Sequence, residues 1–286
     1  MKIHNQISPY ISSVDKITFT NHYSLIYSQH KVYLYQDVFE EENKENLSYL
    51  NDIGFSFFLK KINEEESFFL SLIQKTSNSV LDILYDLYQK SSKTVELTKE
   101  DISNIYQDLV LQFDQLFQYY FVMQDRIEEM FYPRESYYQL LLHMSDIYHL
   151  LSLGRFFLEQ WKNIPTHHYR EVYTLQNILP NNFISGNVID ATHGKRDLCV
   201  YELSNYYHVY YYCDQMVEDV STFLEQLSLN DCELYLFYVK IALIVVLDGS
   251  SLWNVESLLY YVQKTNSFLL EKYQEYQETN NNEFQE

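Results

Sequence analysis

The sequence is poor in residues that break or bend a chain. Its 286 residues include 5 Gly and 4 Pro, where average usage would give roughly 34 of the two together. That excludes a collagen-like repeat and Gly/Ser linkers. It also excludes a sandwich or propeller, whose many tight turns need these residues. Cysteine is scarce as well, with Cys199, Cys213 and Cys232 making up the three. An odd count without C-x-x-C spacing indicates neither a disulfide framework nor a zinc knuckle, and it fits a reducing compartment. The opening MKIHNQISPYIS is polar and has no apolar core, unlike a secretory signal. The longest apolar run covers residues 234–247 and is interrupted by Lys240. A membrane span needs roughly 18–20 residues, so this run reads as a buried helix. Positive charge is also short: 20 Lys and Arg stand against 40 Asp and Glu, a net charge of −20. Such a field repels phosphate backbones and anionic bilayers, so neither nucleic acid nor membrane is an expected partner. The expectation is a cytoplasmic, soluble protein.

What is abundant is aromatic and aliphatic. Hydrophobic residues make up 47%, with 29 Tyr and 18 Phe, which is enough apolar surface for a packed core and excludes general disorder. Residues 14–20, 22–28 and 31–38 are short runs rich in β-branched and aromatic side chains, separated by Asn21 and by Gln29-His30. They predict three antiparallel strands. Residues 40–51 open with Glu40, Glu41 and Glu42, carry Leu47 and Leu50, and stop before Gly54, which predicts a helix. Residues 55–62 and 67–73 predict two further strands. The order βββ-α-ββ over residues 1–75 predicts an N-terminal lobe, and residues 75–79 (KTSNS) are the linker candidate.

From there to residue 278 a helical lobe is expected. Thr98-x-x-Asp101 has the form of a capping box. Ile102, Ile105, Leu109, Phe113, Leu116, Tyr120, Met123, Ile127 and Met130 then recur at helical spacing, and this stripe reads as core-facing. A second long helix is expected over 135–161. Residues 172–175, 183–185 and 188–191 read as short strands, with Ser185-Gly186-Asn187 as a turn. Residues 198–273 read as four helices, and 279–286 as an acidic disordered tail. His167-His168, His143 and His149 lack ligand spacing on one helical face. The tyrosine-rich run from Tyr206 to Tyr212 reads as a half-buried helix. Phosphate-loop, dinucleotide, nucleophile-elbow and zincin motifs do not occur in the sequence.

Residues 175–203, LQNILPNNFISGNVIDATHGKRDLCVYEL, run from a loop to a hairpin, a V-I-D triplet and a Y-E-L helix start. This stretch resembles the catalytic core of aminoglycoside phosphotransferase/choline kinase-like enzymes, closest to kinase-like proteins associated with bacterial spore coats. That family carries a pattern near H-G-D-x-H-P-x-N, then h-I-D, then Y-D-L. On this chain its His falls on Leu175 and its catalytic Asp on Asn177. Pro180 and Asn182 match the Pro and the metal-binding Asn. Asp190 falls on the metal-binding Asp, Thr192 on a second Asp, and Tyr201-Glu202-Leu203 on the Y-D-L.

The resemblance implies a two-lobed α+β kinase-like fold, a spore-coat or sporulation setting, and convergence of Asn177, Asn182 and Asp190 at a cleft between the lobes. It also implies a third strand whose Lys position is Tyr35, directed at that cleft, with Glu45 nearest to the helix Glu. The only metal it leaves is a vestigial Mg²⁺ held by Asn182 and Asp190. The amide of Asn177 cannot accept a hydroxyl proton, a loss of roughly 10²–10⁴ in rate. Tyr35 supplies no cation to phosphates, and the loop near Asn21 has no glycine to let backbone approach them. The expected function is therefore a pseudokinase-like binding or scaffolding protein, with no catalytic or nucleotide-binding residue and a protein partner that the sequence does not identify. Two alternatives stand beside it. One is a small-molecule phosphotransferase with an atypical base at Glu202, Asp197 or His193. The other is an unrelated helical interaction protein.

Overall fold

The computed structural model describes residues 2–19, 23–37, 41–55, 60–64, 68–73, 78–184, 186–189, 194–212, 220–247 and 254–283. The elements run α1 (Lys2–Ile7), β1 (Lys16–Phe19), β2 (Ser24–Ser28), β3 (Lys31–Asp37), α2 (Glu41–Asp52), β4 (Lys60–Glu64), β5 (Phe68–Ile73), α3 (Val80–Ser91), β6 (Lys93–Glu96) and α4 (Lys99–Glu128). There follow α5 (Glu135–Leu142), α6 (Met144–Lys162), β7 (His168–Thr174), a single 3-10 turn (Pro180–Asn182), β8 (Phe183–Ile184), β9 (Asn187–Val188) and β10 (Lys195–Leu198). The last helices are α7 (Cys199–Tyr212), α8 (Val220–Leu227), α9 (Asp231–Ala242) and α10 (Val255–Glu283).

The five expected strands form one antiparallel sheet in the order β1-β2-β3-β5-β4, with the expected helix after the third strand. Gln29 and His30 turn β2 into β3 with φ of 48° and 65°, the left-handed pair that a two-residue hairpin requires. Asp15 Oδ2 accepts from the Gln29 N–H at 2.9 Å and holds that turn. The remaining strands form a sheet β10-β7-β6 and a two-stranded β8-β9 hairpin.

The chain divides into two compact units. One comprises Met1–Lys93 with Glu171–Asp197, the other Thr94–Arg170 with Leu198–Glu286. In the first unit one face of the five-stranded sheet buries Ile26, Tyr33, Tyr35, Phe68 and Leu70 against Ile7 and Ile11. The spacing of Ile3, Ile7 and Ile11 places all three on one side of the N-terminal segment. That segment, for which the sequence predicted no element, supplies α1.

The second unit is helical. Thr98 and Asp101 form the expected capping box at the start of α4, and Leu109, Phe113, Leu116, Tyr120 and Ile127 of the stripe are buried. Met130, the last of that stripe, is exposed instead. The expected helix over 135–161 breaks at His143 into α5 and α6. Gly154 lets α6 approach closely, since a Cβ there would run into Ala242 and the ring of Phe113. Within the 234–247 run, α9 buries Leu236, Phe237, Val239 and Ile241, and Ile244 beyond it is buried as well. Glu233, at the start of α9, is almost fully buried. It accepts from the Arg170 backbone N–H at 2.7 Å and meets its guanidinium at 3.1 Å. α10 continues to Glu283, so the stretch read as a disordered tail is helical from Thr279 to Glu283. Residues 284–286 and most of the linker candidate, 75–77, lie outside the described residues. Among the described residues no helix is long and apolar enough to cross a membrane.

Candidate functional site

The segment after β7 belongs to the same unit as the five-stranded sheet. Leu175, at the position of the family His, is fully buried. Gln176 adopts φ 61°, which turns the chain, and its amide donates to Thr174 Oγ1 at 2.6 Å. Asn177 Oδ1 accepts from the Leu179 N–H at 3.3 Å, the local bond of an Asx turn. Pro180 then opens the 3-10 turn, where its fixed φ suits the first position. Asn182 closes that turn and is 2% exposed. Its side-chain amide donates to the Asn177 carbonyl at 2.7 Å. The expected hairpin pairs Phe183 with Val188 and Ile184 with Asn187, with Gly186 at φ 73°. The Ile189 N–H donates to the Asn182 carbonyl at 2.9 Å and carries the pairing one residue further.

Asn177 and Asn182 are joined by a bond that builds the loop. Asp190, together with Thr192 and His193, lies outside the described residues. The metal reading therefore has one described donor. Asn182 is neutral, and Mg²⁺ binding rests on one or two carboxylates with further oxygens. Among the described residues no group of three or more His, Cys, Asp or Glu side chains could hold a metal ion.

Tyr35 requires a correction. Leu34 packs with Ile189, Tyr23, Leu25 and Ile73 on one face of the sheet. Tyr35 lies on the other face, stacked on Phe68 at 5.5 Å, with its hydroxyl donating to Gln6 Oε1 of α1 at 2.8 Å. Successive side chains alternate across a strand, so a one-residue shift in alignment exchanges the faces. The residue of β3 on the face shared with Ile189, next to Asp190 in sequence, is Leu34. It is fully buried hydrocarbon. On the same face the Tyr23 phenol is pushed above its ordinary value by burial and by Tyr27.

The sequence reading also missed the side chains by which α2 reaches the segment after the hairpin. Glu45 is exposed, while its neighbour Asn46 donates to the Gly194 carbonyl at 3.2 Å. Tyr49 accepts from Arg196 at 2.6 Å. Arg196 also donates to the Ser91 carbonyl at 3.2 Å and lies 3.5 Å from Glu171. The Tyr173 ring lies where a Gly194 Cβ would stand. A glycine between the V-I-D triplet and an arginine was the available signal. Of the alternative bases, Asp197 lies 3.0 Å from Lys195 Nζ, and Glu202 is buried in the second unit.

No family model and no curated protein matches the sequence. Among solved structures the chain is similar to the AMP-bound complex of spectinomycin phosphotransferase APH(9)-Ia, with a TM-score of 0.53 at 13% identity over 94% of this chain and 97% of that one. It also aligns with an aminoglycoside phosphotransferase from Alicyclobacillus acidocaldarius (TM-score 0.49, 10% identity, 94% of each chain). Choline kinase LicA from Streptococcus pneumoniae aligns with a TM-score of 0.40 at 15% identity over 94% of this chain and 96% of that one. The first likeness establishes the class: an α+β, kinase-like fold of the aminoglycoside phosphotransferase kind.

Proposed function

We propose that this chain is a kinase-fold protein without phosphotransfer, acting as a binding or scaffolding module. The observation that carries this reading is the packing of Leu34 on Ile189. Where a phosphotransferase of this fold needs a cation beside its metal-binding segment, β3 offers a buried isobutyl group, which can neutralise no phosphate charge. The turn role of Asn177 and Asn182 supports it further, because both amides are engaged in shaping the loop. In a catalytic reading Glu202, Asp197 or His193 would serve as base; of these, the Asp197 carboxylate is engaged by Lys195. The spore-coat or sporulation setting, and a vestigial Mg²⁺ at Asn182 and Asp190, come from the sequence resemblance and belong to the same proposal. The test is phosphate transfer from γ-labelled ATP to a panel of small alcohols and amines. The expected result is no labelled product above the enzyme-free rate. Turnover that disappears in Asp197→Asn would replace this reading with the phosphotransferase one.

A further inference from the structure

A pocket of about 300 Å³ lies between α8, α9 and α10 in the second unit, apart from the stretch 175–203. Its apolar wall is made by Leu224, Leu229, Leu234 and the rings of Phe268 and Tyr238. The two rings meet edge to face, 5.8 Å apart at 73°. Tyr238 is 6% exposed, yet its hydroxyl has no hydrogen-bond partner among the described residues. Buried phenols ordinarily find one. In the same unit the Tyr120 and Tyr261 hydroxyls donate to the Val245 and Ile241 carbonyls at 2.6 and 2.5 Å. The Tyr238 hydroxyl is not sealed in the interior either. The pocket is the opening that this residue lines, and Glu275, which acts most strongly on the phenol after burial itself, lines it too.

Charge at the rim narrows the ligand. Lys272 pairs with Glu275 at 2.8 Å and lies 3.8 Å from Glu271. Glu225, also at the rim, is exposed and has no ion pair among the described residues. The cation in the lining is therefore already engaged, and the carboxylates around it repel an anionic ligand. A cationic ligand would find its counter-charge only at the wet rim, because the inside offers hydrocarbon and a neutral phenol, where an unpaired charge is costly. Burial and the nearby carboxylates push the Tyr238 pKa up, so the phenol keeps its proton and presents an O–H donor. What the pocket lacks is an acceptor.

We propose that this pocket binds a small uncharged ring compound carrying a carbonyl oxygen, which accepts from the Tyr238 hydroxyl while the ring packs on Phe268 and the leucines. The size agrees, since a dry apolar cavity of about 150 Å³ holds benzene and this pocket has about twice that volume. Apolar walls with few placed polar groups are the usual make-up of small-molecule sites, whose volumes begin near about 300 Å³.

Saturation-transfer NMR on the full chain tests this, with acetophenone as probe and ethylbenzene, benzoate and 2-phenylethylammonium as comparators. Acetophenone should bind, and more tightly than the other three. Tyr238→Phe should weaken acetophenone about two- to tenfold, the worth of one hydrogen bond, and leave ethylbenzene unaffected. Its thermal midpoint should not fall, because no bond within the protein is lost. Leu229→Phe, which fills the pocket, should weaken both compounds. The proposal is overturned by a wild-type chain that gives no transfer to acetophenone, or by tighter binding of either charged comparator. It is overturned equally by an acetophenone affinity that Tyr238→Phe leaves unchanged, or that a Leu229→Phe chain with native circular dichroism leaves unchanged.

Discussion

Leu34 and Ile189 meet on one face of the five-stranded sheet, while the next residue, Tyr35, faces α1 on the other. This parity places Leu34, and not Tyr35, on the face shared with Ile189. It also makes Tyr35 a core residue. Tyr35→Phe should cost about 0.5–1.5 kcal/mol, the size of one hydrogen bond, here the one to Gln6. Leu34→Lys should cost roughly 3 kcal/mol or more, because it puts a charged head into a position that is fully buried among hydrocarbon. Urea unfolding of the two variants measures both, and a larger loss for Tyr35→Phe would contradict the assignment of faces.

Asn182 holds the Asn177 carbonyl from a buried position. Asn182→Ala removes the donor and leaves that acceptor short of a partner. The expected loss is about 1–3 kcal/mol in equilibrium unfolding. Asn177→Ala gives up only the long side-chain contact to Leu179, and its expected cost is about 0.5 kcal/mol. Equal costs would mean that Asn182 does not shape the loop.

Gly194 sits against the Tyr173 ring. In Gly194→Ala the ring must move, and overpacking of this kind costs about 1–3 kcal/mol. Combining it with Tyr173→Leu should recover part of the loss, which thermal unfolding of the double variant would reveal.

The His208 ring lies edge-on to Tyr261 at 5.3 Å, and burial pushes its pKa from the ordinary 6.5 down to about 4. The unfolded chain therefore takes up this proton at a higher pH than the folded one. The stability is complete above pH 6.5 and falls as pH drops through the window down to about 4. His208→Phe should flatten that part of the stability–pH curve. An unchanged slope between pH 6.5 and 4 would assign the acid sensitivity elsewhere.

Much of the sheet was legible because strand and turn chemistry are local: the β-branched and aromatic runs and the Gln29-His30 turn need no distant partner. The capping box at Thr98 and the stripe from Ile102 to Ile127 were legible for the same reason. The break at His143 was not, because nothing at that position forbids a helix. α1 was missed because a six-residue helix is stabilised by the sheet face it covers and not by its own propensity. The direction of Tyr35 differs from the expectation because a one-residue shift reverses every side chain of a strand, and a resemblance at the third strand does not fix register to within one residue. Asn177 and Asn182 were found from the motif, but their turn role shows only once their hydrogen bonds are seen.

If the proposed reading holds, this chain does not bind ATP. Isothermal titration of the full chain with ATP, with and without Mg²⁺, tests it most directly. The account predicts no heat of binding at micromolar ligand in either condition, and no gain of turnover in Asn177→Asp. A micromolar Mg-ATP affinity that Asp190→Ala abolishes would contradict it.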